Sequence, residues 1–144
     1  MTIFSTRIKN HNGINIFEDG RETRDFVYID DVVDAIILGL EVPESNRHVF
    51  NVGSGVGTDV LTDAVTPFEK YGIDVPITVS GNYKLGNIRY NCADITLMRN
   101  VLRYEPKWSY SQGIEQFTNW VNQQEIQDKY DASIAEMKRK GLYK

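Results

Sequence analysis

Apolar residues along this chain fall into short runs that switch between a helical and a strand-like period, and their order predicts an α/β fold of short strands with helices packed around them. Ile3, Phe4 and Ile8 recur at helical spacing ahead of the Asn10-His11-Asn12-Gly13 turn. Residues 1–10 are therefore read as a short helix, with His11 at the surface. Ile14 and Ile16 suggest a strand that ends in the Asp19-Gly20 turn. Phe26, Val27, Tyr28 and Ile29 are the β-branched and aromatic residues a half-buried strand prefers. Asp30 and Asp31 follow as an N-cap for Val32, Val33, Ala35, Ile36, Ile37, Leu38 and Leu40, a helix so apolar that it is expected to be covered on most sides. Pro43 closes it, because the residue before a proline is pushed out of helical geometry.

Val49–Val52 reads as a short buried strand, Gly53-Ser54-Gly55-Val56-Gly57 as a turn, and Thr58 as the cap of a helix from Asp59. That helix carries Val60, Leu61, Ala64, Val65 and Phe68 on one side. Pro67 should kink it or end it near Thr66, an interior proline costing about 3 kcal/mol. Val75–Val79 is expected as the parallel neighbour of Val49–Val52, as strand-helix-strand units favour. A polar loop, Ser80–Asn87, precedes an Asp94-capped helix with Leu97, Met98, Val101 and Leu102, which Tyr104-Glu105-Pro106 stops. Tyr110, Ile114, Phe117 and Val121 mark an amphipathic helix, with Trp120 on its flank. Ile126, Tyr130, Ile134 and Met137 form a second stripe out of phase with it, so a break falls at 122–125. Lys138, Arg139 and Lys140 suit a last helical turn and Gly141 its exit. No repeat, linker or low-complexity segment interrupts the 144 residues, which are taken as one domain, 1–144.

Composition narrows the function classes. A net charge of −4 gives no long-range pull toward nucleic acid, and no apolar run is long enough to span a bilayer, so a cytoplasmic protein without nucleic-acid or membrane partners is expected. The single cysteine, Cys92, excludes an internal disulfide and is read as a packed small hydrophobe. His11 and His48 have no spacing that suggests a triad or a metal site. The glycine run is G-x-G-x-G, whereas a dinucleotide phosphate loop needs its third glycine at position 58, where Thr58 stands. It is read as a turn. Arg24, a fixed cation beside the expected strand, either pairs with Asp25 or Glu22 at the surface or serves an anion.

Five blocks carry a family resemblance. They are Ile16–Gly20 with Arg24–Val32, Val49–Gly55, Gly86–Tyr90 with Ala93-Asp94, Leu102–Pro106, and Gly113–Trp120. In this order, over roughly residues 14–121 with a tail helix at 125–141, the chain resembles the C-terminal half of the NAD-dependent nucleotide-sugar epimerases and dehydratases of the extended short-chain dehydrogenase/reductase family. Its last third, with Gly81–Arg89 and the tail Glu136–Leu142, is similar to dTDP-L-rhamnose 4-epimerases. The resemblance implies a small substrate-binding part with the Rossmann half absent, and Met1 as an internal entry point into a longer plan.

It also implies a site. The position matching Arg24 binds the diphosphate, Phe17 lies against the nucleobase, and Asn15 offers backbone groups beside it. Lys84, Gly86 and Asn87 take the places of the family's R-x-G-D motif, whose Arg contacts diphosphate and whose Asp contacts ribose. Lys84 keeps the charge without the forked guanidinium contact, and Asn87 can bond hydroxyls without a carboxylate's charge. Without the resemblance, residues 80–87 read as a solvated loop. In the resembled enzymes NAD is the cofactor and a Tyr-x-x-x-Lys pair handles the proton; none of the eight tyrosines here has lysine four residues later. The expectation is a chain without a catalytic residue or cofactor of its own that binds a dTDP- or UDP-sugar. Three forms of it stand: a truncated binder, one half of a split epimerase needing a Rossmann partner chain, or a ligand-free interaction module. An apolar face left exposed by the missing half would drive homo-oligomer formation.

Overall fold

Ile8, Ile14 and Ile16 are the apolar residues around which the first part of the chain closes. The computed structural model describes residues 2–144, so Met1, the first residue of the expected N-terminal helix, lies outside them. The chain divides into two units: residues 1–22, 59–89 and 114–144 form one, and residues 23–58 and 90–113 the other.

In the first unit, α1 (Thr2–Lys9) leads into β1 (Ile14–Ile16), which pairs in parallel with β4 (Ile77–Val79), Ile14 opposite Ile77 and Ile16 opposite Val79. Between them in sequence lies α3 (Val60–Tyr71). Ile8, Ile14, Ile16, Ala64 and Val75 form the core, with Phe4, Leu61 and Phe68 packed against it. β4 thus takes β1 as its partner, and Val49–Val52, the expected neighbour, joins no strand. The cap of α3 is Asp59 and not Thr58: its carboxylate accepts from Thr62 N at 2.8 Å and Thr62 Oγ1 at 2.9 Å. Pro67 neither ends nor interrupts the assigned helix, which continues to Tyr71, because the ring is buried in the core and offsets the missing donor. Gly72 ends it in the left-handed region. α6 (Tyr130–Arg139) follows the expected break after α5 (Tyr110–Asn122); the first turn of α5 belongs to the second unit and the rest to the first.

In the second unit, β2 (Thr23–Asp25) is the middle strand of a sheet ordered β3-β2-β5, with β3 at Gly57–Asp59 and β5 at Tyr90–Asn91. The strand therefore lies three residues ahead of the expected Phe26–Ile29. Thr23 and Arg24 take the ladder places opposite Tyr90 and Asn91, while Phe26 and Tyr28 turn their rings onto Tyr110 and Trp108, with centroids 5.3 and 4.3 Å apart. α2 (Ile29–Glu41) starts before the two aspartates, with Tyr28 as N-cap. Asp31, 1% exposed, does other work: its carboxylate accepts from Lys107 N at 2.8 Å and Trp108 N at 3.1 Å. The N-cap of α4 (Thr96–Leu102) is Ile95 and not the expected Asp94, whose carboxylate accepts from Thr96 N at 2.9 Å from one residue further back. Ala35, Ile95, Met98, Leu102 and Tyr104 make the core.

The expectation that α2 is covered on most sides does not hold. Only Asp31 and Ala35 are buried in it, and Ile29, Ile36 and Leu40 are exposed, Leu40 at 83%. Val49, in the segment expected as a buried strand, is 91% exposed. Both departures have one physical origin. A helix apolar on more than one side, followed by a β-branched run, is the sequence of a crossover laid on a sheet, and among the described residues no strand pairs with 49–52. No helix of the described residues is long and apolar enough to cross a membrane.

Candidate functional site

The five residues singled out from the sequence divide between the units: Asn15, Phe17, Lys84 and Asn87 belong to the first, Arg24 to the second.

In the first unit, Ile14 and Ile16 carry the ladder with β4, shown by Ile14 N to Pro76 O at 2.8 Å and Ser80 N to Ile16 O at 2.9 Å. Alternation along the strand turns the backbone N–H and C=O of Asn15 toward the opposite edge. Its side chain donates to the Tyr130 hydroxyl at 3.2 Å, and its Oδ1 is buried without a hydrogen-bond partner. Phe17 is half-buried and meets Tyr143 edge to face, centroids 5.4 Å apart at 80°. Glu18 and Gly20 both have positive φ, 51° and 75°. At Gly20 a side chain is excluded twice over, since a Cβ there would lie 2.7 Å from Leu61 Cγ.

The loop 80–87 is fastened to this turn and to the tail. Glu18 N donates to Asn82 O at 2.8 Å, and Asn87 Nδ2 donates to Glu18 Oε1 at 2.8 Å. On the other side, Tyr83 N to Lys144 O, Lys144 N to Tyr83 O and Leu85 N to Leu142 O measure 2.7, 3.0 and 2.9 Å. Lys84 and Tyr143 are partners in that antiparallel bridge. Lys84 and Asn87 are exposed.

Beside them sits an acidic cluster that the sequence reading did not single out. Arg89 grips Asp19 with both terminal nitrogens, at 2.8 and 2.7 Å, and its Nη1 lies 3.4 Å from buried Glu22 and 3.6 Å from Glu18. The bond from Arg89 holds the Asp19 carboxyl at about 2. The Asn87 amide lowers the pKa of Glu18, and burial raises that of Glu22, so the two carboxyls are shifted in opposite directions. A bidentate Arg–Asp grip across a turn is not legible from spacing, because the partners lie seventy positions apart.

In the second unit, Arg24 Nη1 donates to Thr23 O at 2.7 Å. The residue lines a hollow of about 490 Å³ with Val27, Asn51 and Cys92. Cys92 is exposed there, contrary to the expectation of a packed thiol. It directly follows β5 at the hollow's rim, and burial with the neighbouring Asp25 charge pushes the thiol upward. Asp25 is the knot of this unit. Its Oδ1 accepts from Ser54 N at 2.8 Å and Ser54 Oγ at 2.6 Å, its Oδ2 from Gly55 N at 3.0 Å and Ala93 N at 3.1 Å. Burial raises its pKa, but these donors outweigh it and the net shift is downward. A Cβ at Gly53 would stand 2.6 Å from Asp25 Oδ2.

Those bonds decide what the glycine run can hold. A dinucleotide phosphate needs the loop's amides and the helix start that follows. Here Ser54 and Gly55 give their amides to Asp25, and Gly57 opens a strand. The loop does not fit NAD. Among the described residues no group of three or more His, Cys, Asp or Glu could hold a metal ion.

Residues 1–53 match the NAD dependent epimerase/dehydratase family. A dTDP-L-rhamnose 4-epimerase of Burkholderia thailandensis is 34% identical over 124 residues, which cover 86% of this chain and 34% of that protein. The chain belongs to the NAD dependent epimerase/dehydratase family. Among solved structures of like fold, the UDP-glucose 4-epimerase of Thermotoga maritima with UDP-glucose is 31% identical, with a TM-score of 0.72 over 83% of this chain and 38% of that one. The UDP-glucuronic acid 4-epimerase of Bacillus cereus in complex with UDP-glucuronic acid and NAD is 26% identical, with a TM-score of 0.74 over 85% and 40%. The chain spans about a third of the length of the curated epimerases it matches. These structural relatives are extended short-chain dehydrogenase/reductase epimerases, so the α/β fold of short strands and packed helices is that of one part of such an enzyme.

Proposed function

We propose that this chain is the nucleotide-sugar-binding part of an NAD-dependent sugar epimerase, and that it binds a dTDP- or UDP-sugar without turning it over by itself. Phe17 stacks on the base, with the outward-turned backbone of Asn15 at the base edge. Lys84 meets the diphosphate, and Asn87 meets the ribose. The observation that carries this reading is the fastening of the loop 80–87 to the Phe17-Glu18 turn through Glu18 N–Asn82 O and Asn87–Glu18, which holds a ring, an ammonium and an amide on one platform. A flat apolar partner beside fixed donors and charge is what a pyrimidine diphosphate requires.

Titration calorimetry of the whole chain with dTDP, UDP and NAD tests it. Saturable binding of either nucleotide and none of NAD is the expected outcome; silence toward both nucleotides removes the reading and leaves an interaction module.

The exposed apolar residues of α2 and Val49 favour a second element of the same proposal. The chain works against a partner that covers this face, either a Rossmann half that completes a split epimerase or a second copy of itself. Adding a separately produced cofactor-binding half and assaying epimerisation distinguishes the two. Restored turnover identifies the first, and a concentration-dependent dimer with no turnover the second.

A further inference from the structure

We infer that the chain's last residues complete the nucleotide site: Tyr143 as a second ring beside Phe17 that also sets the aim of Lys84, and Lys138 as a second ammonium for the diphosphate. The inference rests on the proposal that Phe17 and Lys84 contact a nucleotide.

The bonding pattern fixes the register. Lys144 N to Tyr83 O and Leu85 N to Leu142 O flank the pair Lys84–Tyr143 without passing through it, which makes it a non-hydrogen-bonded pair of an antiparallel ladder. In such a pair both side chains leave on the same face, and the two are closer than in the alternate type. The face is known from one of them, because the Tyr143 ring meets Phe17. Lys84 is thereby aimed toward the side where Phe17 lies.

A terminal segment ordinarily frays. Here three backbone bonds hold residues 142–144 on the loop, and Lys138, in the last turn of α6, stands 5.1 Å above the Tyr143 ring. Two rings and two ammonium groups are thus drawn from three segments distant in sequence. Rings serve a base through its π-face, and ammonium groups serve phosphate as point charges. Lys84 alone supplies one such charge where a guanidinium would supply a fork of donors, and Lys138 adds the second. The expectation that residues 138–140 only complement a helix dipole then applies to Lys140, which pairs with Glu136 at 2.6 Å, and not to Lys138.

The test titrates the full chain and its variants with dTDP and with thymidine at two salt concentrations, with far-ultraviolet circular dichroism as a control on folding. Tyr143→Ala should weaken dTDP and thymidine alike by about tenfold, and Tyr143→Phe should restore both. Lys138→Ala, on an exposed side chain, should weaken dTDP about threefold and flatten its salt dependence while leaving thymidine unchanged. Unchanged dTDP affinity in Lys138→Ala overturns the inference even if Tyr143→Ala does not fold. Tighter binding in folded Tyr143→Ala overturns it too, since the tail would then be a cover over Phe17. If Tyr143→Ala and Lys138→Ala bind as the wild type does, only this inference falls; if the wild type binds neither nucleotide, the proposed function falls with it.

Discussion

Two glycine-bearing loops of this chain treat their polar groups in opposite ways. The loop at residues 53–57 turns inward: Ser54 and Gly55 spend their amides, and Ser54 its hydroxyl, on the Asp25 carboxylate. The loop at residues 80–87 is fastened by its backbone on two sides and by the Asn87 amide to Glu18, and leaves the side chain of Lys84 in solvent. A glycine pattern alone would favour the first as a phosphate binder. The bonds favour the second, because a donor already committed to a charged carboxylate cannot be lent to a ligand without unmaking the fold.

Three measurements break or sharpen this contrast. The largest effect belongs to Asp25→Ala, which strands the Ser54, Gly55 and Ala93 amides. We expect a loss of about 3 kcal/mol or more in urea denaturation. A midpoint close to wild type would mean that the loop does not depend on its carboxylate. Next is Lys84→Ala, expected to lower nucleoside diphosphate affinity about fivefold while the melting temperature stays within about 2 °C. Comparable losses in both would make Lys84 a structural residue.

The smallest effect is in acid. Asp19, held at about 2 against an ordinary 3.8 by Arg89, adds stability that is complete above its ordinary value and is lost as pH falls from there toward 2. Glu22 works in the opposite sense. Raised by burial, it contributes below its ordinary value and loses that contribution as pH rises through its folded one. Asp19→Asn should flatten the acid limb of a stability-against-pH curve measured by circular dichroism; an unaltered limb would assign acid sensitivity to Asp25 instead.

The sequence showed this division unevenly. Helices announced themselves through apolar spacing, and α1, α3, α5 and α6 stand near where Ile8, Ala64, Ile114 and Ile134 placed them. Strand β2 did not, because Thr23-Arg24-Asp25 has no apolar alternation and its ladder partners Tyr90 and Asn91 are remote. Val49–Val52 has the composition of a strand, but a strand needs a neighbour that composition cannot supply. Asp25 and Asp31 read locally as a surface charge and a helix cap. Their actual partners, Ala93 and Trp108, come from chain far downstream. Of the proposed site, Phe17, Lys84 and Asn87 were legible only through family motifs. Tyr143 and Lys138 were not, since a bridge register exists only once two distant segments meet.

The parallel ladder that sets Ile14 against Ile77 has a consequence for how the chain acquires its shape. That hydrogen-bonded edge cannot close until every intervening residue has been synthesised and its loop entropy met, and parallel pairings of this separation are slow to nucleate. The second unit meets the same requirement, since Thr23 stands opposite Tyr90 in a parallel ladder of its own. A ribosome-bound intermediate halted before β4 emerges would leave Ile14 and Ile16 without a ladder partner.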